Sequence, residues 1–582
     1  MFKDLLRRVA GKVLSSDRLR RISAKVVAIG LRRQLRAFEA ATCNPQPVQE
    51  ELLLRIVRQH EETDFGRDHG FDKIRSAADF RKQLPVAPYE YHEPYLARVR
   101  KGEWKALLSE PCIRMFALTS GTTAARKHIP VTSQYLADYK RGWHNWGLKV
   151  FRDHPQVKMR AMVQMSGDWE ESFTESGMPC GSVTGLTANM QKGMIRALYC
   201  VPACVAKVKD PAAKNYLVLR LSAHRTVGMV IAANPSTLIN LARAGDQEKE
   251  SLIRDFHDGT LSSRFAIPQF VRDELAGRWK KKQPDKARFF EEIVSRTGTL
   301  YPKDYWPSYC LLGNWTGGSV GAYLRHYPKY FGSMPVRDIG LIASEGRMTI
   351  PFADGTSSGV LDVTSHYFEF IPEDEIDSKQ PTVLGAHEVQ EGKTYYILPT
   401  TSFGLYRYHI SDVVRVTGFF NGTPLVEFLS KGAHFANMTG EKLSEYHVTR
   451  AVADVLKKLD LSLDTYSLAP CWDDLTPFYG LFVERAEFAE IGQGQKLAEA
   501  LDNRLADLNI EYAAKRQSRR LGSVRLQLLP GGAWAKWDRH RLAKSGGSME
   551  QYKHPCLIAD PAFRSSIPVE SEVACESATT CG

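Results

Sequence analysis

The hydrophobic pattern of this chain is built from short apolar runs that end in polar or glycine-containing turns. Thr226-Val227-Gly228-Met229-Val230-Ile231-Ala232-Ala233 is apolar almost throughout, as a strand covered on both faces must be. Asn234-Pro235-Ser236-Thr237 follows with a capping side chain and a proline suited to a first helical turn. Leu238, Ile239, Leu241 and Ala242 then keep a helical spacing up to Gly245. This predicts a strand–helix unit of an α/β sheet. Asp338-Ile339-Gly340-Leu341-Ile342-Ala343 predicts a second short strand ending in polar residues. Open α/β sheets bind ligands at such strand ends. Residues 47–110 read as helices around the aromatic-rich stretch Tyr89-Glu90-Tyr91-His92-Glu93-Pro94-Tyr95.

From Gly359 onward the pattern turns to strands. Val413-Val414-Arg415-Val416-Thr417-Gly418-Phe419-Phe420 and Leu425-Val426-Glu427-Phe428-Leu429 flank Asn421-Gly422, a strong hairpin signal. Ser430-Lys431-Gly432 makes a natural boundary. Beyond it the spacing predicts a helix near 444–458, a strand at 474–485, a long helix near 494–516, a strand at 523–529 and a final helical stretch. The predicted class is α/β. A large N-terminal domain at 45–430 has mixed α/β sheets and a β-rich subdomain. A small α+β domain at 431–566 follows on a hinge. A basic amphipathic helical segment at 1–44 precedes them, and the polar, acidic tail at 567–582 is expected to be disordered.

Composition narrows the class. At 582 residues the chain exceeds one ordinary core. The apolar share of 43% and charged share of 25% suit a water-soluble globular protein. No apolar run has transmembrane or signal-peptide length, and the ten cysteines show no C-x-x-C pair. A cytoplasmic protein with reduced thiols is expected. Of the net charge of +12, most falls in residues 1–40, where eleven Lys or Arg face Asp4, Asp17 and Glu39. Phe2, Leu5, Leu6, Val9 and Val13 give that segment an apolar helical stripe, expected to pack on its own domain rather than on a membrane. The basic residues are not interleaved with stacking aromatics, so nucleic acid is not an expected partner. A monomer is expected.

The densest candidate chemistry is Phe116-Ala117-Leu118-Thr119-Ser120-Gly121-Thr122-Thr123-Ala124-Ala125-Arg126-Lys127. An apolar segment runs into a loop of hydroxyls around one glycine, then into two cations. Hydroxyls, backbone N–H groups and cations together can hold phosphate oxygens. The loop is not a Walker A motif. Three later segments join it. Ile342-Ala343-Ser344-Glu345-Gly346-Arg347 puts a carboxylate after a strand. Tyr406-Arg407-Tyr408-His409-Ile410-Ser411-Asp412 puts another between an aromatic-rich strand and the hairpin. Gln551-Tyr552-Lys553-His554-Pro555 puts a lysine near the C-terminus.

In this order the four segments resemble the acyl-adenylate-forming superfamily of firefly luciferase and the acyl-CoA ligases. They are most similar to the auxin-responsive acyl-acid amido synthetases of plants, the Gretchen Hagen family, and to bacterial relatives of these; the chain reads as a bacterial member. Thr63-Asp64-Phe65-Gly66-Arg67, Asp79-Phe80-Arg81 and Gly181-Ser182-Val183-Thr184-Gly185 carry the resemblance further. It implies that Thr119, Ser120, Thr122 and Thr123 bind ATP phosphates with Lys127 close by. Ser344 and Glu345 match a Ser-Glu segment whose Glu coordinates Mg²⁺, for which hard oxygen ligands are suited. Asp412 matches the acceptor of the ribose hydroxyls, Lys442 an interdomain lysine, and Lys553 the C-terminal lysine that approaches the nucleotide. Lys553 and Lys127 are thus the expected catalytic residues.

The implied activity is that of an ATP-dependent acyl-acid amido synthetase. A carboxylic acid becomes acyl-AMP with release of pyrophosphate, and the acyl group then passes to an amine, an amino acid being expected. Transfer to CoA or another thiol is the alternative. A non-catalytic, membrane-associated scaffold is the second, and intact Lys127, Glu345, Asp412 and Lys553 oppose it. Ser411 stands where the family has glycine, so a positive φ there would strain the backbone. Residues 162–168, 183–190 and 314–323 are candidates for the acid pocket.

Overall fold

The computed structural model describes residues 30–119, 127–157, 160–191, 193–306, 310–376, 378–432, 435–436, 438–439, 441, 443–472, 477–517, 521–545 and 552–573. The phosphate-loop residues Ser120, Thr122 and Thr123, the interdomain Lys442 and most of the basic N-terminal segment lie outside them. The described part of that segment is helical over 30–41 and buries Phe38 beside Trp146 and Val150 of the helix Ser133–Asp153.

The predicted strand–helix unit is present. Val227–Ile231 is buried along its whole length, and the side chain of Asn234 caps the helix Pro235–Gln247 by accepting from the N–H of Ser236 at 3.0 Å. The strand belongs to a parallel sheet in which Ala161–Gln164, Val227–Ile231, Leu311–Gly313 and Val336–Arg337 lie side by side in chain order. Their C-terminal ends lead into Asn234, Trp315 and Asp338. The strand expected over residues 338–343 is different. The sheet strand ends at Arg337, and Ile342–Ala343 pairs with Gly346–Arg347 in a separate tight hairpin. Ser344 and Glu345 are therefore the tip of a hairpin.

A second sheet places Lys127–Thr132 beside Ile113–Thr119, then Pro179–Gly181 and Ser172–Phe173. A third, seven-stranded antiparallel sheet is the β-rich part. Its Asp412–Phe420 and Thr423–Lys431 strands are joined at Asn421-Gly422, with Asn421 at φ 55°, as the sequence predicts for this hairpin. The aromatic stretch before Asp412 is not a strand. It is irregular chain that bridges Ala87 through Tyr408 and meets the N-terminal helices through Tyr406 N–H on His92 and the Arg407 guanidinium on the carbonyls of Arg81 and Leu84.

The small domain packs the helices Glu445–Leu459 and Ile491–Leu508 against the sheet Tyr466–Trp472, Pro477–Glu484, Arg525–Leu529 and Ser571–Val573. The expected long helix breaks at Asn509, whose side chain accepts from the N–H of Tyr512 at 2.9 Å and starts a second helix, Ile510–Gln517. Within the tail, Ser571–Val573 is an edge strand rather than disordered chain, and Glu572 bonds Arg525 at 3.0 Å and Gln527 at 2.9 Å; residues 574–582 lie outside the described ones. No helix among the described residues is long and apolar enough to cross a membrane.

Candidate active site

Asp412 opens a strand of the seven-stranded sheet and is only 2% exposed. The residue before it, Ser411, takes φ 64°, the left-handed conformation in which glycine is unstrained. The carbonyl of Ser411 accepts from the N–H of Gly432 at 2.7 Å. At Gly432 an added Cβ would meet the ring of Tyr396 at 2.2 Å, so glycine alone fits there. The predicted boundary at 430–432 is thereby tied to the backbone beside Asp412.

Glu345 sits at the hairpin tip and is 5% exposed. The tip is docked on the strand Ile113–Thr119. Ser344 Oγ donates to the carbonyl of Leu118 at 3.4 Å, and Tyr135 O–H donates to the carbonyl of Ser344 at 3.1 Å. Thr119 ends that strand and pairs with Lys127 across the ladder.

Tyr408 connects these parts. The Lys127 ammonium lies 3.4 Å from its hydroxyl and 5.3 Å from the ring centre of Tyr89. Burial, with the charges of Glu345 and Asp412 adding to it, pushes the Tyr408 phenol well above its usual range. Tyr408 thus stays neutral and accepts from Lys127 while facing both carboxylates.

Lys553 comes from the small domain. Its ammonium stands 4.4 Å from the Trp315 ring centre and 5.5 Å from that of Phe428. Lys553, Asp412, Trp315, Phe428 and Asp338 line one cavity of about 140 Å³, together with residues 340–343. Asp338 accepts from Thr316 N and Oγ1 and from Gly340 N at 2.6–2.8 Å; burial nevertheless raises its carboxyl to about 6. The cavity opens at the C-terminal ends of the parallel strands, where this class of sheet places ligands.

Two carboxylates, a lysine from each domain and aromatic faces suit a magnesium nucleotide. A hard divalent ion suits a carboxylate such as that of Glu345, and Asp412 can accept from two hydroxyls. Among the expected site residues, Asp412 and Lys553 line this cavity, Lys127 reaches Tyr408, and Ser344 and Glu345 form the hairpin tip that follows Ile342–Ala343. Thr119 ends its strand opposite Lys127. Sequence reasoning did not single out Tyr408, Tyr135, Trp315 or Phe428. Trp315 lies within the expected 314–323 pocket segment, and Tyr408 stood inside a quoted motif without a role. Residues 164, 188 and 189 of the other pocket segments line a separate space of about 20 Å³ with Arg196, Tyr199 and Arg278.

Known proteins resemble this chain along most of its length. The GH3 family N-terminal domain matches residues 34–336, the GH3 family central domain residues 359–431 and the GH3 family C-terminal domain residues 446–562. Jasmonoyl–L-amino acid synthetase JAR6 of Nicotiana attenuata is 26% identical over 546 residues, spanning 90% of this chain and 93% of the relative. A probable indole-3-acetic acid-amido synthetase, GH3.12 of Oryza sativa subsp. japonica, is 26% identical over 570 residues, spanning 90% and 92%. The solved structure of GH3.15 acyl acid amido synthetase superposes with a TM-score of 0.81 at 19% identity, covering 93% of this chain and 97% of that one.

Proposed function

Because this chain belongs to the GH3 family, we propose that it joins a carboxylic acid to an amino acid at the expense of ATP, through an acyl-adenylate. The observation that carries the reading is the shared cavity of Asp412 and Lys553, with Glu345 and Lys127 next to it on Tyr408.

A carboxylate is a poor acyl donor, because its charge repels nucleophiles and oxide is a poor leaving group. Attack of the carboxylate oxygen on the α-phosphorus forms the acyl-adenylate and expels pyrophosphate. Two anions must meet in that step, and Lys127 and Lys553 stabilise the charge that develops. Magnesium on Glu345 would add Lewis-acid charge at the phosphates. Asp412 holds the ribose, and Thr119, Ser120, Thr122, Thr123 and Ser344 contribute to the phosphate side. The neutral amine then attacks the acyl carbon and AMP leaves. A free α-amino group with a pKa of ~8 is partly neutral near pH 7, so this step asks for little base strength.

The two half-reactions place different demands on one nucleotide. The small domain meets them by turning about 430–432, with Lys442 in the interdomain segment serving the second orientation. The Trp315 and Phe428 faces suit the adenine or an apolar acid. A magnesium requirement, a cytoplasmic monomer free of membrane contact, the 45–430 and 431–566 division and a bacterial source are parts of the same reading; the relatives named above are plant proteins.

The test is ATP–pyrophosphate exchange over a library of carboxylic acids, with and without Mg²⁺, followed by amino acids and CoA as acceptors for the best acid. Acid-dependent exchange with amide formation supports the reading. Exchange with thioester formation alone would move the protein to the CoA-ligase class, and no exchange with any acid would reject adenylation.

A further inference from the structure

We propose that Asp538 is the positioning residue for Lys553, acting through the two side chains that flank the lysine. This rests on the reading that Lys553 serves adenylation.

Tyr552, Lys553 and His554 lie in irregular chain after the helix Ala533–Ser545. Asp538 is on that helix. Its Oδ1 accepts from the Tyr552 hydroxyl at 2.6 Å and lies 2.8 Å from His554 Nδ1. One carboxylate oxygen thus grips both neighbours of Lys553. Tyr552 and His554, two residues apart, both reach Asp538, while Lys553 between them reaches Trp315. Holding Tyr552 and His554 on the Asp538 side turns Lys553 the other way, toward Trp315 and the cavity shared with Asp412.

The grip is reinforced on every side. His554 Nε2 lies 2.9 Å from Ser467 Oγ, which donates to the carbonyl of Pro555 at 2.7 Å. The Trp534 ring meets the His554 ring edge-on, with centres 4.6 Å apart. From the large domain, Asn234 Nδ2 donates to the carbonyl of Tyr552 at 3.0 Å, while Asn234 Oδ1 caps its own helix. A mobile surface lysine would spend most of its time elsewhere. A lysine whose neighbours are both fixed presents its ammonium at one place, which is what a charge-stabilising group requires.

Lys553 touches the reacting phosphates in this reading; Asp538 does not. The test is a double-mutant cycle on the full-length protein. Asp538→Ala should slow acid-dependent ATP–pyrophosphate exchange by on the order of tenfold, because misplacing a catalytic group can cost up to about 10²-fold. Amide formation from chemically supplied acyl-adenylate should stay near wild type. In a Lys553→Ala background the same change should have no further effect on exchange. Asp538→Asn, which keeps the accepting oxygen, should recover part of the loss. If Asp538→Ala does not fold, Tyr552→Phe removes one arm of the grip and should show the same step-selective, non-additive loss at smaller size. Equal loss in both half-reactions, or a full additional loss on top of Lys553→Ala, overturns the proposal and leaves Asp538 structural. A slow Lys553→Ala with a normal Asp538→Ala overturns the clamp alone. A normal Lys553→Ala overturns both the clamp and the role given to Lys553.

Discussion

The two sides of the cavity are held in place by different means. The large-domain wall carries Glu345 and Asp412, both almost fully buried, on a hairpin tip and on a strand of a seven-stranded sheet. Its groups are fixed by backbone geometry and core packing. The opposite side is Lys553, an exposed residue on irregular chain, held through its neighbours and by the faces of Trp315 and Phe428. The first arrangement suits groups that must bind the nucleotide throughout the cycle. The second suits a group needed for one step and withdrawn for the next. Perturbing the wall should therefore cost binding or folding, and perturbing the lysine should cost one half-reaction.

The largest effect is expected from acid acting on the wall. Burial lowers His60, His92 and His366 to about 4 from an ordinary value of 6.5. A group depressed in the folded state contributes stability above its unfolded pKa and loses it as pH falls through the window from 6.5 to about 4. Each ring costs up to about tenfold in the folding equilibrium per pH unit across that window. His92 makes the link to the site direct, since its Nε2 accepts from the N–H of Tyr406, two residues from Tyr408. Denaturant midpoints should drop between about pH 7 and pH 5.5, and His92→Gln should flatten the drop by about one ring's share. An unchanged midpoint would mean that the wall is less tightly packed than the comparison requires.

Next in size is Lys553→Ala. Loss of one preorganised charge-stabilising donor should slow ATP–pyrophosphate exchange by on the order of 10²-fold. Transfer from supplied acyl-adenylate should change little. Parallel loss of both activities at wild-type melting temperature would remove the step-specific role on which the contrast stands.

Asp412→Ala should act on binding instead. Losing charged hydrogen bonds to the ribose costs about 1.5–3 kcal/mol, roughly tenfold or more in nucleotide affinity. Calorimetry on the folded variant decides it, and normal ATP affinity would take Asp412 out of the nucleotide site.

How much of this was legible follows the same division. The charged residues of the wall and Lys553 could be found because their chemistry demands particular residue types at particular places in the order. The positive φ of Ser411 could be anticipated because glycine is expected there. The Asn421-Gly422 hairpin announced itself through turn chemistry. The Glu345 hairpin did not, because strands of two residues have no period to read. Tyr466–Trp472 is buried over six of its seven residues and contains a proline, so it lacked the alternation of a half-exposed strand. The break at Asn509 was marked by a capping residue inside an otherwise continuous helical pattern. The edge strand Ser571–Val573 looked too polar to fold, yet Glu572 finds Arg525 and Arg564. Tyr408, Trp315 and Phe428 serve the site through contacts across hundreds of residues, which local pattern does not carry.

The smallest effect concerns what keeps the two sides facing each other. Asp464 of the small domain pairs with Arg243 of the large domain at 3.2 Å and lies 3.2 Å from His326, whose ring burial disfavours charging. Asp464 and Arg243 are each more than two-fifths exposed, so water and salt screen much of their attraction. If the Asp464–Arg243 pair favours the orientation that presents Lys553, Asp464→Asn should reduce exchange at low ionic strength by no more than a few-fold, in keeping with the small contribution of exposed pairs. Transfer should be unaffected or slightly faster, because the competing orientation gains population. Raising salt should shrink the difference between variant and parent, since the parent loses what the variant already lacks. A loss of exchange as large as that of Lys553→Ala would mean that the interface, rather than the lysine's own setting, limits adenylation. The contrast between a fixed wall and a positioned lysine would then have to be redrawn at the domain boundary.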